Sequence, residues 1–225
     1  MLDFGFYNMD CMEGMKEFPD KYFDLAVVDP PYGLGYDRLA HKNSGKKSGN
    51  AKAHKRFYKS TNWDNAVPDT AYFAELFRVS KEQIIWGGQY YTDKLPVSKG
   101  LIVWDKRVND NIRNNFADCE IAWISENLGV ARIFRYLWCG MLQNNMADKD
   151  DRFHPTQKPI ALYKWILTNY AKEGDTILDT HVGSASSLIA CEDLGFKYVG
   201  FEIDEDYYKL AKERINEFNA QLRMF

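Results

Sequence analysis

Short apolar runs along this chain are separated by polar and helix-like stretches, and their order predicts most of the architecture. Phe23–Val28 (FDLAVV) is a compact apolar run of the kind that forms a strand buried on both faces. It stops sharply at Asp29-Pro30-Pro31-Tyr32. Upstream, Phe4–Met9 is a short mixed segment, and a helix is predicted over Cys11–Phe18, closed by Pro19. Ala71–Lys81 reads as a helix, and Gln83–Trp86, Leu101–Trp104, Glu120–Ile124 and Ala131–Trp138 read as strands. Pro159 opens a helix to about Ala171, with the proline at a favoured first-turn position. Thr176–Leu178 is a short strand ending in Asp179, and a turn through Gly183 leads to a helix near Ser186–Leu194. Tyr198–Phe201 is the next strand, ending at Glu202, and Asp204 caps a long final helix to Leu222. Strands alternating with helices predict an α/β domain with a mixed, mostly parallel sheet and helices on both faces.

At 225 residues the chain suits a single domain, residues 1–225, and its 45% apolar content suffices for one sizeable core. The 15% aromatic share suits a protein that stacks on flat ligands as well as one with a bulky core. A net charge of −3 excludes a chain-wide polycation, so any contact with nucleic acid must come from a local patch. The cysteines, Cys11, Cys119, Cys139 and Cys191, are scattered without a C-x-x-C pair, so neither a metal site nor a disulfide framework is expected. Met1–Asp20 has no basic leader with an apolar core, and no apolar run approaches the roughly 20 residues that span a bilayer. A cytoplasmic protein without membrane contact is the expectation.

Two places carry chemistry. Asp29-Pro30-Pro31-Tyr32 follows a buried strand, and ligands of open α/β sheets bind at the carboxyl ends of strands. Two consecutive prolines fix φ and remove two N–H donors. The corner then presents carbonyl oxygens and one carboxylate, acceptors suited to an amino group with two hydrogens to donate. Asp29 would take one hydrogen and the Pro30 carbonyl the other, while Tyr32 offers a flat face. The second place is Leu178-Asp179-Thr180-His181-Val182-Gly183-Ser184-Ala185-Ser186, which reads as strand, tight turn and helix. Gly183 lets backbone approach a ligand closely. Glu202, at the end of the next strand, is placed to hold a ribose diol. The unit lacks G-x-G-x-x-G, so a ligand with a ribose and no pyrophosphate fits better than a dinucleotide.

Taken together these segments resemble the amino-group DNA methyltransferases of the β arrangement, in which the catalytic corner precedes the cofactor loop. Asp29-Pro30-Pro31-Tyr32 matches that family's catalytic motif of the adenine-N6 type. Asp179–Ser187 is similar to its cofactor loop, Asp-Pro-Phe-x-Gly-Ser-Gly-Thr, with agreement at Asp179, Gly183 and Ser184. Glu202 matches the acid that binds the cofactor ribose. Asn8-Met9-Asp10-Cys11 resembles the segment whose Asp meets the cofactor adenine, and His154-Pro155-Thr156-Gln157-Lys158-Pro159 the segment before the cofactor loop. The resemblance implies a Rossmann-like methyltransferase fold with permuted motif order and S-adenosylmethionine as cofactor. It implies catalysis by Asp29, Pro30, Pro31 and Tyr32. It places Asp10, Cys11, Thr156, Lys158, Asp179, His181, Gly183, Ser184, Ala185, Glu202 and Ile203 at the cofactor. Among the departures from the motif, Thr180 replaces Pro, His181 replaces Phe and Ala185 replaces the second Gly. The flat His181 can pack as Phe does, whereas Ala185 adds a methyl where backbone nears the cofactor.

The long segment at about 37–66 holds eight basic residues and no acid between Arg38 and Lys59: Arg38, Lys42, Lys46, Lys47, Lys52, Lys55, Arg56 and Lys59. Following the catalytic corner directly, it is expected to neutralise DNA phosphates. The family's recognition segment corresponds to about residues 125–153, which is short and implies a short target, relaxed specificity, or help from a second subunit. Adenine-N6 methylation of a flipped-out base in DNA is the reading that Asp29 favours. Cytosine-N4, RNA adenine and protein glutamine methylation, or a DNA-binding relative without catalysis, remain as alternatives.

Overall fold

The computed structural model describes residues 1–35, 64–108, 117–139, 142–147, 149–150 and 152–222. In chain order the strands are β1 (Gly5–Asn8), β2 (Phe23–Val28), β3 (Ser80–Trp86), β4 (Leu101–Asp105), β5 (Cys119–Ile124), β6 (Arg132–Arg135), β7 (Trp138–Cys139), β8 (Leu142–Gln143), β9 (Thr176–Asp179) and β10 (Lys197–Glu202). The helices are α1 (Cys11–Lys16), α2 (Thr70–Val79), α3 (Ile160–Tyr170), α4 (Ser186–Leu194) and α5 (Glu205–Leu222). The main sheet runs β1-β10-β9-β2-β3-β5-β4-β6, and β7 pairs with β8 separately. Every neighbouring pair in the main sheet is parallel except those made by β5, which runs against β3 and β4. This is the expected mixed, mostly parallel α/β sheet.

Alternation along β2 and β3 divides the core. Leu25, Val27, Ile84 and Trp86 face α3, burying Leu162, Ile166 and Leu167 with them. Ala26, Val28 and Ile85 face the opposite way, onto Met15 of α1 and Tyr72, Phe73 and Leu76 of α2. Both faces of β2 are thus covered, which is why its sequence is a continuous apolar run. No helix among the described residues is long and apolar enough to cross a membrane.

Several element boundaries differ from the sequence expectation. The mixed segment at Phe4–Met9 forms edge strand β1, paired with β10 from Gly5↔Val199 to Asn8↔Glu202. The helix predicted to run to Lys81 stops at Val79: Ser80 is extended, and its hydroxyl donates to the Leu76 carbonyl at 2.5 Å, so β3 starts without a connecting loop. The single strand predicted over Ala131–Trp138 is split into β6 and β7. Pro159 stands at the cap position before α3 with extended backbone, not within the first turn. Asp204 does cap α5, its carboxylate accepting from the Asp206 and Tyr207 amides.

Candidate active site

Four neighbouring parallel strands deliver acids to one edge of the sheet. In the order β1-β10-β9-β2 they are Asp10, Glu202, Asp179 and Asp29. The strands leading to Asp29 and Asp179 are hydrogen-bonded neighbours, with Ala26 opposite Leu178. Two segments far apart in sequence therefore meet at the carboxyl ends of adjacent strands, the place where open α/β sheets bind ligands.

The Asp29 corner is held from three directions. The Tyr32 and Gly33 amides both donate to Oδ1 of buried Asp64, each at 2.8 Å. The hydroxyl of buried Tyr91 lies 2.8 Å from the carbonyls of both Pro30 and Pro31. The Pro30 carbonyl that was expected to receive an amino hydrogen thus already has a partner, with its second lone pair left for another. On Asp29, Oδ1 accepts the Tyr32 hydroxyl at 2.6 Å and Oδ2 accepts Lys158 Nζ at 2.5 Å. The Tyr32 ring stacks on Tyr90, with centroids 5.0 Å apart at 26°, and packs against Gly87. Gly87 has φ of +74°, and a Cβ there would meet the Tyr32 ring at 2.3 Å, so conformation and space both require glycine.

Lys158 belongs to this corner. It is buried, lies 3.2 Å from Glu120 Oε2, and Glu120 Oε1 in turn pairs with Lys106 at 2.9 Å. Burial raises the Asp29 pKa against the pull of the Lys158 ammonium. Burial likewise opposes charge on Lys158, but Asp29 and Glu120 overcome it and keep the ammonium protonated. Burial also opposes charge on Glu120, yet Lys158 and Lys106 bring it down to about 2.

The Asp179 loop is organised differently. Oδ1 accepts the His181 amide at 3.0 Å and Oδ2 the Ser187 hydroxyl at 2.5 Å. Both donors are neutral, and burial drives the Asp179 pKa up to about 7. His181 is held neutral by burial, at about 4, beside Thr180 and Tyr72. Glu202 accepts the Gly183 amide on Oε2 and the Asp204 amide on Oε1, both at 2.9 Å, so it ties the loop to β10. Ala185 has φ of +62°, a left-handed conformation that glycine adopts without strain.

The remaining expected cofactor residues take distinct places. Asp10 caps α1 through the Met12 amide at 2.7 Å, and Cys11 opens that helix with burial raising its thiol to about 12. Ser184 is buried, its carbonyl accepting Arg214 at 2.8 Å. Thr156 pairs with His154, whose ring lies against Gly183. Ile203 is 64% exposed beside Glu202, an apolar surface at the loop's rim. Arg38, Lys42, Lys46, Lys47, Lys52, Lys55, Arg56 and Lys59 lie outside the described residues. A cavity of about 330 Å³ beside α5, lined by Phe153, Arg214 and Phe218 among others, includes none of Asp29, Asp179 and Glu202.

Sequence reasoning passed over Glu120, Lys106, Tyr90, Tyr91 and Asp64. Glu120 left one signal, an acid heading the apolar strand CEIAWI. The others become visible only when separate segments are brought together.

This sheet, with its permuted order of acids at one edge, has the fold of DNA methyltransferases. The crystal structure of an M1.HpyAVI–SAM complex superposes with a TM-score of 0.55 at 20% identity, covering 93% of this chain and 98% of that one. The cytosine-N4-specific PvuII DNA methyltransferase gives 0.58 at 14% identity, covering 97% and 92%. The N6/N4 family model, described as DNA methylase, matches residues 57–213, and the chain belongs to this family. The matched span leaves out the Asp29–Tyr32 corner. Among curated relatives, type II methyltransferase M2.MboI of Moraxella bovis is 25% identical, covering 98% of this chain and 90% of its own length. Type II methyltransferase M.HpaI of Haemophilus parainfluenzae is 23% identical, covering 94% and 74%.

Proposed function

We propose that this chain methylates the N6 amino group of adenine in DNA, with S-adenosylmethionine as cofactor. The observation that carries the reading is the adjacency of two unlike carboxylates: Asp29, in a corner of acceptors, and Asp179, buried beside it with neutral donors only. Family membership and similarity to type II methyltransferases support DNA as substrate.

The residues present fit this cofactor. Asp179 suits its ammonium group, Glu202 the ribose diol and exposed Ile203 the adenine ring, with Asp10, Cys11, Thr156, His181, Gly183, Ser184 and Ala185 around them. Bound, S-adenosylmethionine supplies a methyl group on a positively charged sulfur. Asp29 accepts one hydrogen of the target amino group and the free lone pair of the Pro30 carbonyl accepts the other, which pulls the nitrogen out of conjugation with the ring. Asp29 then takes the proton that the nitrogen releases. Adenine stacked in a duplex cannot reach this corner, so the base is flipped out. Tyr32 stacks on it once Tyr90 gives up its contact, a gain of about 1–3 kcal/mol per base–aromatic pair. The basic residues between Arg38 and Lys59 take DNA phosphates, and the segment at about 125–153 contributes to target choice.

Incubating the protein with cofactor and duplex DNA, then digesting to nucleosides for mass spectrometry, tests the reading. N6-methyladenine is expected. N4-methylcytosine overturns the adenine assignment, methylation of RNA alone overturns the DNA assignment, and cofactor binding without any product fits a non-catalytic relative.

A further inference from the structure

The catalytic corner holds a second carboxylate that the transfer described above does not use. Glu120 stands near the start of β5, opposite Trp104, and the antiparallel course of β5 brings it to the Asp29 edge. Buried Lys158 is shared between the two acids, at 2.5 Å from Asp29 and 3.2 Å from Glu120, and Lys106 balances the far side of Glu120 at 2.9 Å. The result is a row of alternating charges, Asp29, Lys158, Glu120 and Lys106. Neutralising Asp29 would need only the first two.

We infer that Glu120 is a positioning residue for the transfer: by sharing Lys158 with Asp29, it leaves the Asp29 carboxylate able to hold the acceptor amine and take up its proton. This rests on the amino-group chemistry proposed above. An ammonium confined to one buried carboxylate forms a closed pair in which the acid is a weak acceptor and a weak base. A second carboxylate divides the N–H donors, and its negative charge raises the basicity of Asp29. Burial opposes charge on Glu120, but Lys158, with Lys106 on the far side, keeps it ionised. In the step itself the amino nitrogen gains a methyl group and loses one proton. Asp29 receives that proton, becomes a neutral acid, and releases it to water with the product.

Other groups around the pair are accounted for. Tyr32 donates to Asp29, and Tyr91, Tyr163 and Asp179 are near enough for their own ionisation to be affected by Asp29. His154 feels the Lys158 charge and is neutral, held at about 3 by burial.

The test is a titration of the 225-residue, ligand-free protein labelled with carboxyl-¹³C aspartate, the Asp29 resonance being identified by its loss in Asp29→Asn. Glu120→Gln is expected to lower the Asp29 midpoint by about one to two pH units. Glu120→Asp, which keeps the charge, should restore most of the shift. Lys106→Met, which strengthens the hold of Glu120 on Lys158 and removes a positive charge, should move the midpoint upward. In the methylation assay the acid limb of the rate profile should move with the midpoint, and Glu120→Gln should lower kcat about tenfold without changing the KM for cofactor. An Asp29 midpoint unmoved by both Glu120→Gln and Lys106→Met overturns the inference, as does a midpoint that moves while the rate limb stays fixed. If Glu120→Gln does not fold, the direction of the Lys106→Met shift decides. The titration needs neither acceptor nor cofactor, so its outcome is separate from any failure to methylate adenine.

Discussion

Asp29 and Asp179 end adjacent strands and burial raises the pKa of both, yet they are given unlike partners. Asp29 has its counter-ion built in: Lys158 reaches it from a segment 129 residues away. Asp179 has a hydroxyl and an amide, and no cation among the described residues pairs with it. Partnering a buried carboxylate with dipoles alone leaves its charge poorly compensated, which is why its pKa rises to about 7. The Asp29 carboxylate therefore has a cation beside it, whereas the charge on Asp179 is met by neutral donors alone.

The largest effect should come from breaking the Asp29 side. Asp29→Ala should reduce methyl transfer by about 10²–10⁴-fold, the range for loss of a group that moves a proton. Cofactor affinity, read by calorimetry, should be nearly unchanged, because the Asp179 loop is separately built. A variant with the wild-type rate would remove Asp29 from the chemistry.

On the Asp179 side the effect should depend on pH. Only the ionised form attracts an ammonium group, so affinity for S-adenosylmethionine should weaken about tenfold per pH unit below 7, or about 100-fold at pH 5. The same shift affects stability with a fixed sign. The folded-state value lies above that of the unfolded chain, so the folded protein binds the extra proton between about pH 4 and 7. The ligand-free protein should accordingly lose stability as pH rises through that window, by up to about 4 kcal/mol. Asp179→Asn should flatten both dependences while weakening cofactor binding at pH 8. A pH-independent affinity in the wild type would show that no cation meets Asp179.

The smallest effect sharpens the same contrast. The Asp179 loop carries backbone strain at Ala185, where φ is +62°. Ala185→Gly should stabilise the protein by about 1 kcal/mol, relieving the left-handed strain less the entropy that glycine loses on folding. At this chain length that corresponds to a rise in Tm of about 2–4 °C. An unchanged or lower Tm would mean that the alanine methyl packs well enough to offset the strain.

The sequence by itself determined the strands that carry the site. FDLAVV had to be covered on both faces, and the proline pair had to end it, so β2 and its corner were legible from local chemistry alone. The Asp179 turn, α4, and Glu202 at the end of β10 were legible for the same reason, since strand, tight turn and helix follow from residues close in the chain. The short edge strand β1 was not, because four residues of mixed polarity become a strand only through pairing with β10. Lys158 was expected among the cofactor residues from its neighbours in sequence. Its contact with Asp29, and the row through Glu120 to Lys106, was decided by the tertiary structure alone. Side-chain charges pair through space at a few ångströms, and which segments come that close depends on strand order and direction: β5 reverses, bringing Glu120 to the edge where β2 delivers Asp29. Local pattern carries the period and ends of elements, but it does not carry the order in which a sheet assembles them.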